Sequence, residues 1–151
     1  MKKIMFVCHG NICRSPMAEF VMRRLVLENG LSDKISVSSS ATSTEEIGNP
    51  VYPPVRTLLI SKGIDPKGKR AVQLCSGDYG KYDLFVGMDS ANMRNMQRIF
   101  SGDPEGKVIK LLDLVSGGDV ADPWYTRNFE ITYSDVLRGC TALLDALKKE
   151  L

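Results

Sequence analysis

The sequence lacks any long hydrophobic run. No window approaches the roughly 18 apolar residues of a transmembrane helix, and the apolar stretch after Lys2 and Lys3 ends by His9. That stretch is too short for a signal peptide, and no small-residue cleavage site follows it. We therefore expect a cytoplasmic protein with no membrane partner.

An excess of charge of one sign is also lacking. The formal net charge is +2, and there is no run of five or six like charges. A nucleic-acid-binding protein normally carries a basic stripe, so we expect no nucleic-acid partner. The densest basic cluster is Lys67, Lys69 and Arg70. We interpret it as a solvated loop, with a weak anion-attracting rim as the alternative.

Histidine and cysteine are scarce. His9 is the only histidine, so any histidine-dependent reaction would have to use it, and the four cysteines are Cys8, Cys13, Cys75 and Cys140. Their spacings do not match a zinc site, which uses C-x2-C pairs or histidine partners. We expect no metal and no cofactor. In a reducing compartment the cysteines are expected to be free thiols.

What is present is an ordinary composition and an alternation of predicted strands and helices. A length of 151 residues fits one domain, 1–151. The alternation predicts an α/β fold with a parallel sheet, and the stretch 116–128 shows no regular pattern. The predicted strands are 3–8, 35–39, 83–88 and 108–112, and the predicted helices are 55–62, 91–99, 133–147 and one that follows Ser15. Ser15 and Ser90 are the candidate N-caps of the first and third helices.

The segment 8–15 reads C-H-G-N-I-C-R-S and lies between the first predicted strand and the first predicted helix. In open α/β sheets ligands bind at the carboxyl ends of the strands. A glycine-containing loop that enters a helix directs several backbone N–H groups at one point, which favours an anion. The position of this segment therefore predicts an anion-binding loop.

Three side chains of this loop indicate chemistry on a bound phosphoryl group. Backbone donors and a helix N-terminus stabilise a thiolate at Cys8, and Ser15 can donate a further hydrogen bond to the sulfur. The planar fork of Arg14 suits two phosphate oxygens. Cys8 could instead be a buried apolar residue, the commoner fate of a free cysteine. Arg14 could be a surface residue, but a cation at a helix N-terminus is unfavourable without an anion partner.

At these residues the chain resembles the low-molecular-weight protein tyrosine phosphatase family, which carries a C-x5-R-S loop near its N-terminus. The resemblance continues at 39–43, at Met88-Asp89 and at Asp122-Pro123-Trp124-Tyr125. It implies a four-stranded parallel sheet flanked by helices on both faces. It also implies metal-independent hydrolysis of phosphotyrosine in protein substrates through a phosphocysteine, and we expect a monomer.

The resemblance assigns further roles. It makes Asp122 the proton donor, although an Asp-Pro turn is the simpler interpretation from the residues alone. It makes Trp124 and Tyr125 a wall for the substrate ring, and Ser39 a hydrogen-bond partner of Asn11. The residues implied to bind the phosphate are His9, Gly10, Asn11, Ile12, Cys13, Arg14 and Ser15.

Two loop residues bear on regulation and specificity. By resemblance, Cys13 is a candidate resolving thiol that forms a disulfide with Cys8 under peroxide. Similar arginine phosphatases carry threonine at the position of Ile12, so Ile12 favours tyrosine-directed activity. Glu45 stands where some relatives have an aromatic wall.

Two rival functions fit part of the pattern. A thiol-coupled arsenate reductase shares the loop but needs a relay of further cysteines. Cys75 could begin such a relay, yet Tyr82 stands seven residues on. A phosphocysteine carrier of a sugar-transport system also places a cysteine after its first strand. Such carriers lack counterparts of Arg14 and Asp122, which therefore favour the phosphatase.

Overall fold

The first strand, β1 (Lys2–Cys8), is buried on both of its faces in the computed structural model, which describes all residues, Met1–Leu151. Its side chains alternate between two apolar clusters. Ile4 and Phe6 belong to the larger cluster, whereas Met5 and Val7 belong to the smaller one on the other face of the sheet. Because both faces are covered, the strand is apolar at successive positions rather than at every second one.

Four parallel strands form the sheet, in the order β2-β1-β3-β4. The other strands are β2 (Ile35–Ala41), β3 (Leu84–Gly87) and β4 (Val108–Lys110). The chain runs from β1 to β2 on one side and then crosses back past β1 to β3 on the other side, so the direction of connection reverses at β1. A crevice opens at the carboxyl end of a strand at such a point, and residues 8–15 lie there.

Helices cover both faces of the sheet, which confirms the predicted architecture. The larger cluster is built with α1 (Arg14–Glu28), α2 (Pro53–Ser61) and α5 (Phe129–Lys148). The smaller cluster is covered by α3 (Ser90–Phe100) and by a 3₁₀ helix at Ser76–Gly80. A helix that is both long and apolar enough to cross a bilayer is not found among them.

Two predicted helix caps are wrong. Helix α1 begins at Arg14, and Ser15 lies inside the helix with its hydroxyl turned to the sulfur of Cys8. Helix α3 is capped by Asp89 rather than Ser90, because the Asp89 carboxylate accepts from the backbone N–H of Asn92. At α3, Asp89 and Ser90 are both suitable caps, and Asp89 is the one that accepts from the helix. Helix α1 has no side-chain cap at its N-cap residue, Cys13.

Several predicted boundaries also shift. Strand β4 ends at Lys110, after which the chain tightens into a 3₁₀ helix, Leu111–Leu114, which buries its first two leucines. The stretch 116–128, predicted to be irregular, contains the short helix α4 (Pro123–Thr126). Helix α5 begins at Phe129 because the Asn128 side chain accepts from the backbone N–H of Ile131.

Candidate active site

The loop between β1 and α1 forms the floor of a cleft of about 240 Å³ at the carboxyl end of the sheet. Its rim comes from the turn after β2 and from the α4 segment. The lining residues are Cys8, His9, Gly10, Ile12, Cys13, Arg14, Glu45, Glu46, Asp122, Trp124 and Tyr125. The fold therefore brings residues from both ends of the sequence to one site.

The sulfur of Cys8 lies at the end of β1, surrounded by hydrogen-bond donors. The backbone N–H of Asn11 donates to Cys8 Sγ at 3.3 Å, and the Ser15 hydroxyl lies 2.9 Å from the same sulfur. Donors of this kind stabilise a thiolate more than a thiol. Cys8 is 3% exposed, but it reaches the cleft.

Asn11 adopts the left-handed conformation, with φ of 60°, and its side chain holds the loop from behind. Its amide nitrogen donates to Ser15 Oγ at 2.7 Å and to Ser39 Oγ at 2.9 Å, and its carbonyl oxygen accepts from the backbone N–H of Val72 at 3.1 Å. Asparagine visits this backbone region more readily than most residues. The buried amide therefore fixes the turn that aims its own N–H at Cys8.

The buried carboxylate of Glu19 determines which way these hydrogen bonds point. Ser39 donates to Glu19 Oε1 at 2.6 Å, so its oxygen is free to accept from Asn11. Asn11 also donates to Ser15, whose own hydrogen then remains for the sulfur of Cys8. Since a hydroxyl has one hydrogen, the network directs the Ser15 donor towards Cys8.

Arg14 is 3% exposed, and its guanidinium lies between two carboxylates. Nη1 donates to Asp89 Oδ2 at 2.9 Å and to the carbonyl of Val120 at 3.1 Å, and Nη2 donates to Asp122 Oδ2 at 3.4 Å. Burial alone would lower the pKa of Arg14, but the negative charges of Cys8, Asp89 and Asp122 outweigh it and raise the pKa. The guanidinium therefore remains a cation beside the sulfur.

Asp122 precedes α4 and caps it. Its Oδ1 accepts from the backbone N–H of Trp124 at 3.0 Å, and its other oxygen faces Arg14. Pro123, as the first helical residue, fixes the backbone angle there. The Asp122 side chain is 29% exposed, so this carboxyl group can exchange a proton with a molecule in the cleft.

Aromatic side chains form one side of the mouth of the cleft. The rings of Trp124 and Tyr52 pack together with centroids 5.1 Å apart, and Arg127 lies over the Tyr52 ring. Tyr125, by contrast, is 81% exposed. On the opposite side, His9 Nε2 and Glu45 Oε2 lie 2.9 Å apart.

Cys13 lies in the same loop, at the N-terminus of α1, and is buried. Burial, together with the negative charges of Cys8 and Asp122, raises the pKa of Cys13 to about 12. Its thiol therefore stays protonated at neutral pH.

The predicted site residues thus fall into two groups. Most line the cleft, whereas Asn11, Ser15 and Ser39 lie beneath it as the support of the loop. Sequence reasoning missed Asp89 and Glu19, the carboxylates behind Arg14 and Ser39. The signal for Asp89 was its position after β3, the strand that pairs with β1. No group of three or more His, Cys, Asp or Glu side chains is arranged to hold a metal ion.

Comparisons with known proteins agree on one family. The family model described as low molecular weight phosphotyrosine protein phosphatase matches residues 3–151. The low molecular weight protein-tyrosine-phosphatase YfkJ of Bacillus subtilis is 36% identical over 153 residues, covering 99% of this chain and 98% of YfkJ. PtpA of Staphylococcus aureus is 36% identical over 152 residues, covering 99% of this chain and 96% of PtpA.

Solved structures support the same assignment. The crystal structure of YfkJ superposes with a TM-score of 0.96, covering 99% of this chain and 96% of that one. SP-PTP, a low molecular weight protein tyrosine phosphatase from Streptococcus pyogenes, gives a TM-score of 0.89 at 40% identity, covering 97% of this chain and 93% of that one. The chain therefore belongs to the low molecular weight phosphotyrosine protein phosphatase family, and its activity is that of a protein tyrosine phosphatase.

Proposed function

We propose that the cleft hydrolyses phosphotyrosine in protein substrates, with Cys8 as nucleophile, Arg14 as phosphate clamp and Asp122 as proton donor. One observation carries this proposal above all. The sulfur of Cys8 receives hydrogen bonds from the loop and lies at the floor of a cleft that also contains a buried, charged guanidinium. A nucleophile, an anion cradle and a cation in one place suit attack on a phosphoryl group.

In the first step the Cys8 thiolate attacks phosphorus, and the bond between phosphorus and the tyrosine oxygen breaks. Asp122 gives its proton to that oxygen, so that tyrosine leaves as a neutral phenol. In the resting site the Asp122 carboxylate accepts from Arg14. When a phosphate dianion binds, its oxygens accept hydrogen bonds from the guanidinium in place of Asp122.

In the second step Asp122, now a carboxylate, removes a proton from water as the water oxygen attacks phosphorus. The bond between sulfur and phosphorus breaks, and inorganic phosphate and the Cys8 thiolate are released. The Ser15 hydroxyl, directed towards the sulfur, stabilises the departing thiolate. One carboxyl group thus serves as acid and then as base.

The remaining loop residues, His9, Gly10, Asn11, Ile12 and Cys13, contribute the backbone of the cradle. Such backbone N–H groups and the N-terminus of α1 stabilise the charge on the phosphoryl oxygens. Ser39 positions the cradle through Asn11, and it lies outside the cleft.

The lining of the cleft supports an aryl substrate. Trp124 and Tyr125 rise beside the mouth, and the branched side chain of Ile12 lines the interior. A flat ring can pack between such apolar surfaces and place its phosphate above Cys8. The proteins of B. subtilis, S. aureus and S. pyogenes that resemble this chain are named as tyrosine phosphatases.

The test is hydrolysis of p-nitrophenyl phosphate and of phosphotyrosine, phosphoserine and phosphoarginine peptides, all in the presence of EDTA. We expect turnover of the aryl phosphates, with the phosphotyrosine peptide preferred. Cys8→Ser should lower kcat by about a thousandfold or more, because the hydroxyl is a far weaker nucleophile. Acid quenching of the wild-type enzyme during turnover should trap phosphate on Cys8.

The matched control is Cys75→Ser, which changes an exposed cysteine outside the cleft. We expect it to retain the wild-type rate. Turnover that survives in Cys8→Ser, or phosphate trapped on another residue, would contradict the mechanism. Preferred hydrolysis of the phosphoarginine peptide would contradict the substrate class.

A further inference from the structure

A second cleft lies behind the phosphate-binding loop and shares no lining residue with the first. It has a volume of about 450 Å³ and opens between α1, β2 and the segment 67–72. We call it the rear cleft. The charged residues that line it are Glu19, Arg23, Lys67, Lys69 and Arg70.

The rear cleft carries an excess of positive charge. Four cations face a single carboxylate, that of Glu19, which is already paired with Arg23 and Lys69. Lys67 and Arg70 are exposed and form no ion pair. Arg70 Nη1 donates only to the carbonyl of Gly48, at 3.5 Å. Together the four cations attract a multiply charged anion more strongly than any one of them would alone.

Lys69 links the rear cleft to the interior. Its side chain is only 12% exposed, and its Nζ donates to the carbonyl of Ser39 at 2.9 Å and lies 3.7 Å from Glu19 Oε1. Burial lowers the pKa of Lys69, and the negative charges of Glu19 and Cys8 act against this lowering. The ammonium group therefore lies against the same carboxylate that accepts from Ser39.

A hydrogen-bonded path runs from the rear cleft to the active site. Glu19 accepts from Ser39, Ser39 accepts from Asn11, and Asn11 donates its backbone N–H to Cys8 Sγ. Every residue of this path is buried. A change in the ion pairs of Glu19 therefore acts on the catalytic loop through buried contacts that water does not screen.

We propose that the rear cleft binds a phosphate group, as inorganic phosphate or as a phosphomonoester, and that its occupancy slows catalysis through Glu19, Ser39 and Asn11. A bound dianion competes with Glu19 for Lys69 and Arg23. It thereby disturbs the carboxylate that orients Ser39 and, through Asn11, the backbone N–H that donates to Cys8. The kinetic part of this inference rests on the proposed function, whereas the binding part does not.

Binding is tested on the wild-type protein with the active site filled by one equivalent of orthovanadate. Inorganic phosphate is then titrated while backbone amide NMR signals are followed, and a parallel titration uses glycerol phosphate. We expect saturable shifts at residues 67–70 and at Arg23. Tighter binding in one titration identifies free phosphate or a monoester as the better ligand. The absence of shifts at residues 67–70 and at Arg23, or shifts that do not saturate, would overturn the proposal.

The matched variants remove two positive charges each. Lys67→Ala/Arg70→Ala acts in the rear cleft, and Arg56→Ala/Lys81→Ala removes two exposed charges elsewhere. We expect only the first pair to abolish the NMR shifts. If both double variants weaken phosphate binding equally, the effect is one of overall charge, and the proposal of a site is overturned.

The kinetic test separates the two sites by their effect on kcat. Phosphate in the active site competes with substrate and raises KM, whereas phosphate in the rear cleft should also lower kcat, by about fivefold at saturation. In Lys67→Ala/Arg70→Ala we expect inhibition that is purely competitive. Phosphate binding in the rear cleft with no change in kcat would overturn the coupling.

The path itself is tested by Ser39→Ala, which breaks the link between Glu19 and Asn11. Phosphate should still bind in the rear cleft of this variant, but the fall in kcat should disappear. A fall of unchanged size would show that Ser39 does not carry the effect. Failure of the proposed function is recognised separately, because turnover would then survive in Cys8→Ser.

Discussion

The two segments that build the active site are held in different ways. The loop 8–15 is tied down by buried side chains, with Asn11 alone bonded to three other residues. The segment 120–128 places Asp122 before the four-residue helix α4, which contains the exposed Tyr125. Hydrogen bonds to the rest of the fold hold this segment mainly at Val120 and Ala121. The proposed anion cradle is thus fixed by buried side chains, whereas the proposed proton donor precedes a short helix whose residues 124–126 are exposed.

This contrast separates stability from catalysis. Changes in the loop 8–15 should cost both folding free energy and rate, because its side chains are structural partners of one another. Changes at the partly exposed Asp122 and at the exposed Tyr125 should cost rate alone. The predictions below test this distinction, beginning with the largest expected effect.

Asp122→Asn should lower kcat for phosphotyrosine by about a hundred- to a thousandfold, since the amide cannot donate the proton. Asparagine caps a helix as well as aspartate does, so the free energy of unfolding in urea should stay within about 0.5 kcal/mol of the wild type. Affinity for vanadate should be retained. Asp119→Asn, which changes a nearby acid paired with Lys110, is the control and should keep the rate. Full activity in Asp122→Asn would remove this residue from the mechanism.

Asn11→Ala should lower kcat by about tenfold and the free energy of unfolding by about 2 kcal/mol, because it leaves buried partners unpaired and strains a left-handed residue. Asn11→Gly removes the same side chain but accepts the backbone conformation. It should therefore recover part of the stability and little of the rate. Equal stability of the two variants in urea would show that backbone strain contributes nothing.

The buried thiol of Cys13 should make stability fall with pH. Its pKa is about 12 in the folded protein against 9.0 for the ordinary thiol. Stability from the protonated thiol is present below pH 9 and is lost as pH rises towards 12. Between pH 8 and pH 10, the free energy of unfolding of Cys13→Ala, measured in urea, should fall by about 1 kcal/mol less than that of the wild type. Cys75→Ala, an exposed control, should follow the wild type. Parallel curves for all three proteins would contradict the burial effect.

The same protonation bears on the predicted disulfide between Cys8 and Cys13, which stays a prediction. Burial and the negative charge of Cys8 both keep the Cys13 thiol unreactive. Oxidation of Cys8 to a neutral sulfenic acid removes that charge, so Cys13 becomes a better nucleophile only when it is needed. Mass analysis after peroxide treatment should find the intraloop disulfide, and sulfinic acid on Cys8 without it would contradict this role.

Tyr125→Ala should have the smallest effect, about a two- to threefold fall in kcat/KM for a phosphotyrosine peptide. The ring is 81% exposed and can only contact substrate. Trp124→Ala, in contrast, also removes the packing against Tyr52 and should cost stability as well. A larger loss of stability in Tyr125→Ala than in Trp124→Ala would contradict the description of this wall.

The sequence was sufficient to predict the parallel sheet, the order of its elements and the position of the loop 8–15 after the first strand, because these depend on local patterns. Anion binding by this loop stays a prediction. The two-sided burial of β1 appears in its successive apolar residues, and the loop 8–15 carries its chemistry within eight positions. The carboxylates Asp89 and Glu19 could not be predicted, because each acts on a residue that only the fold brings near. The single domain, the monomer and the cytoplasmic location stay predictions.

The pairing of Arg14 with Asp89 has a consequence for the empty enzyme. A buried cation without a partner destabilises a fold by several kcal/mol, and many active sites weaken the protein that holds them. Here Asp89, in the connection between β3 and α3, neutralises the guanidinium whether or not a ligand is bound. The group most suited to grip phosphate therefore also joins β3 to α1, and this protein has no need of a ligand in order to remain folded.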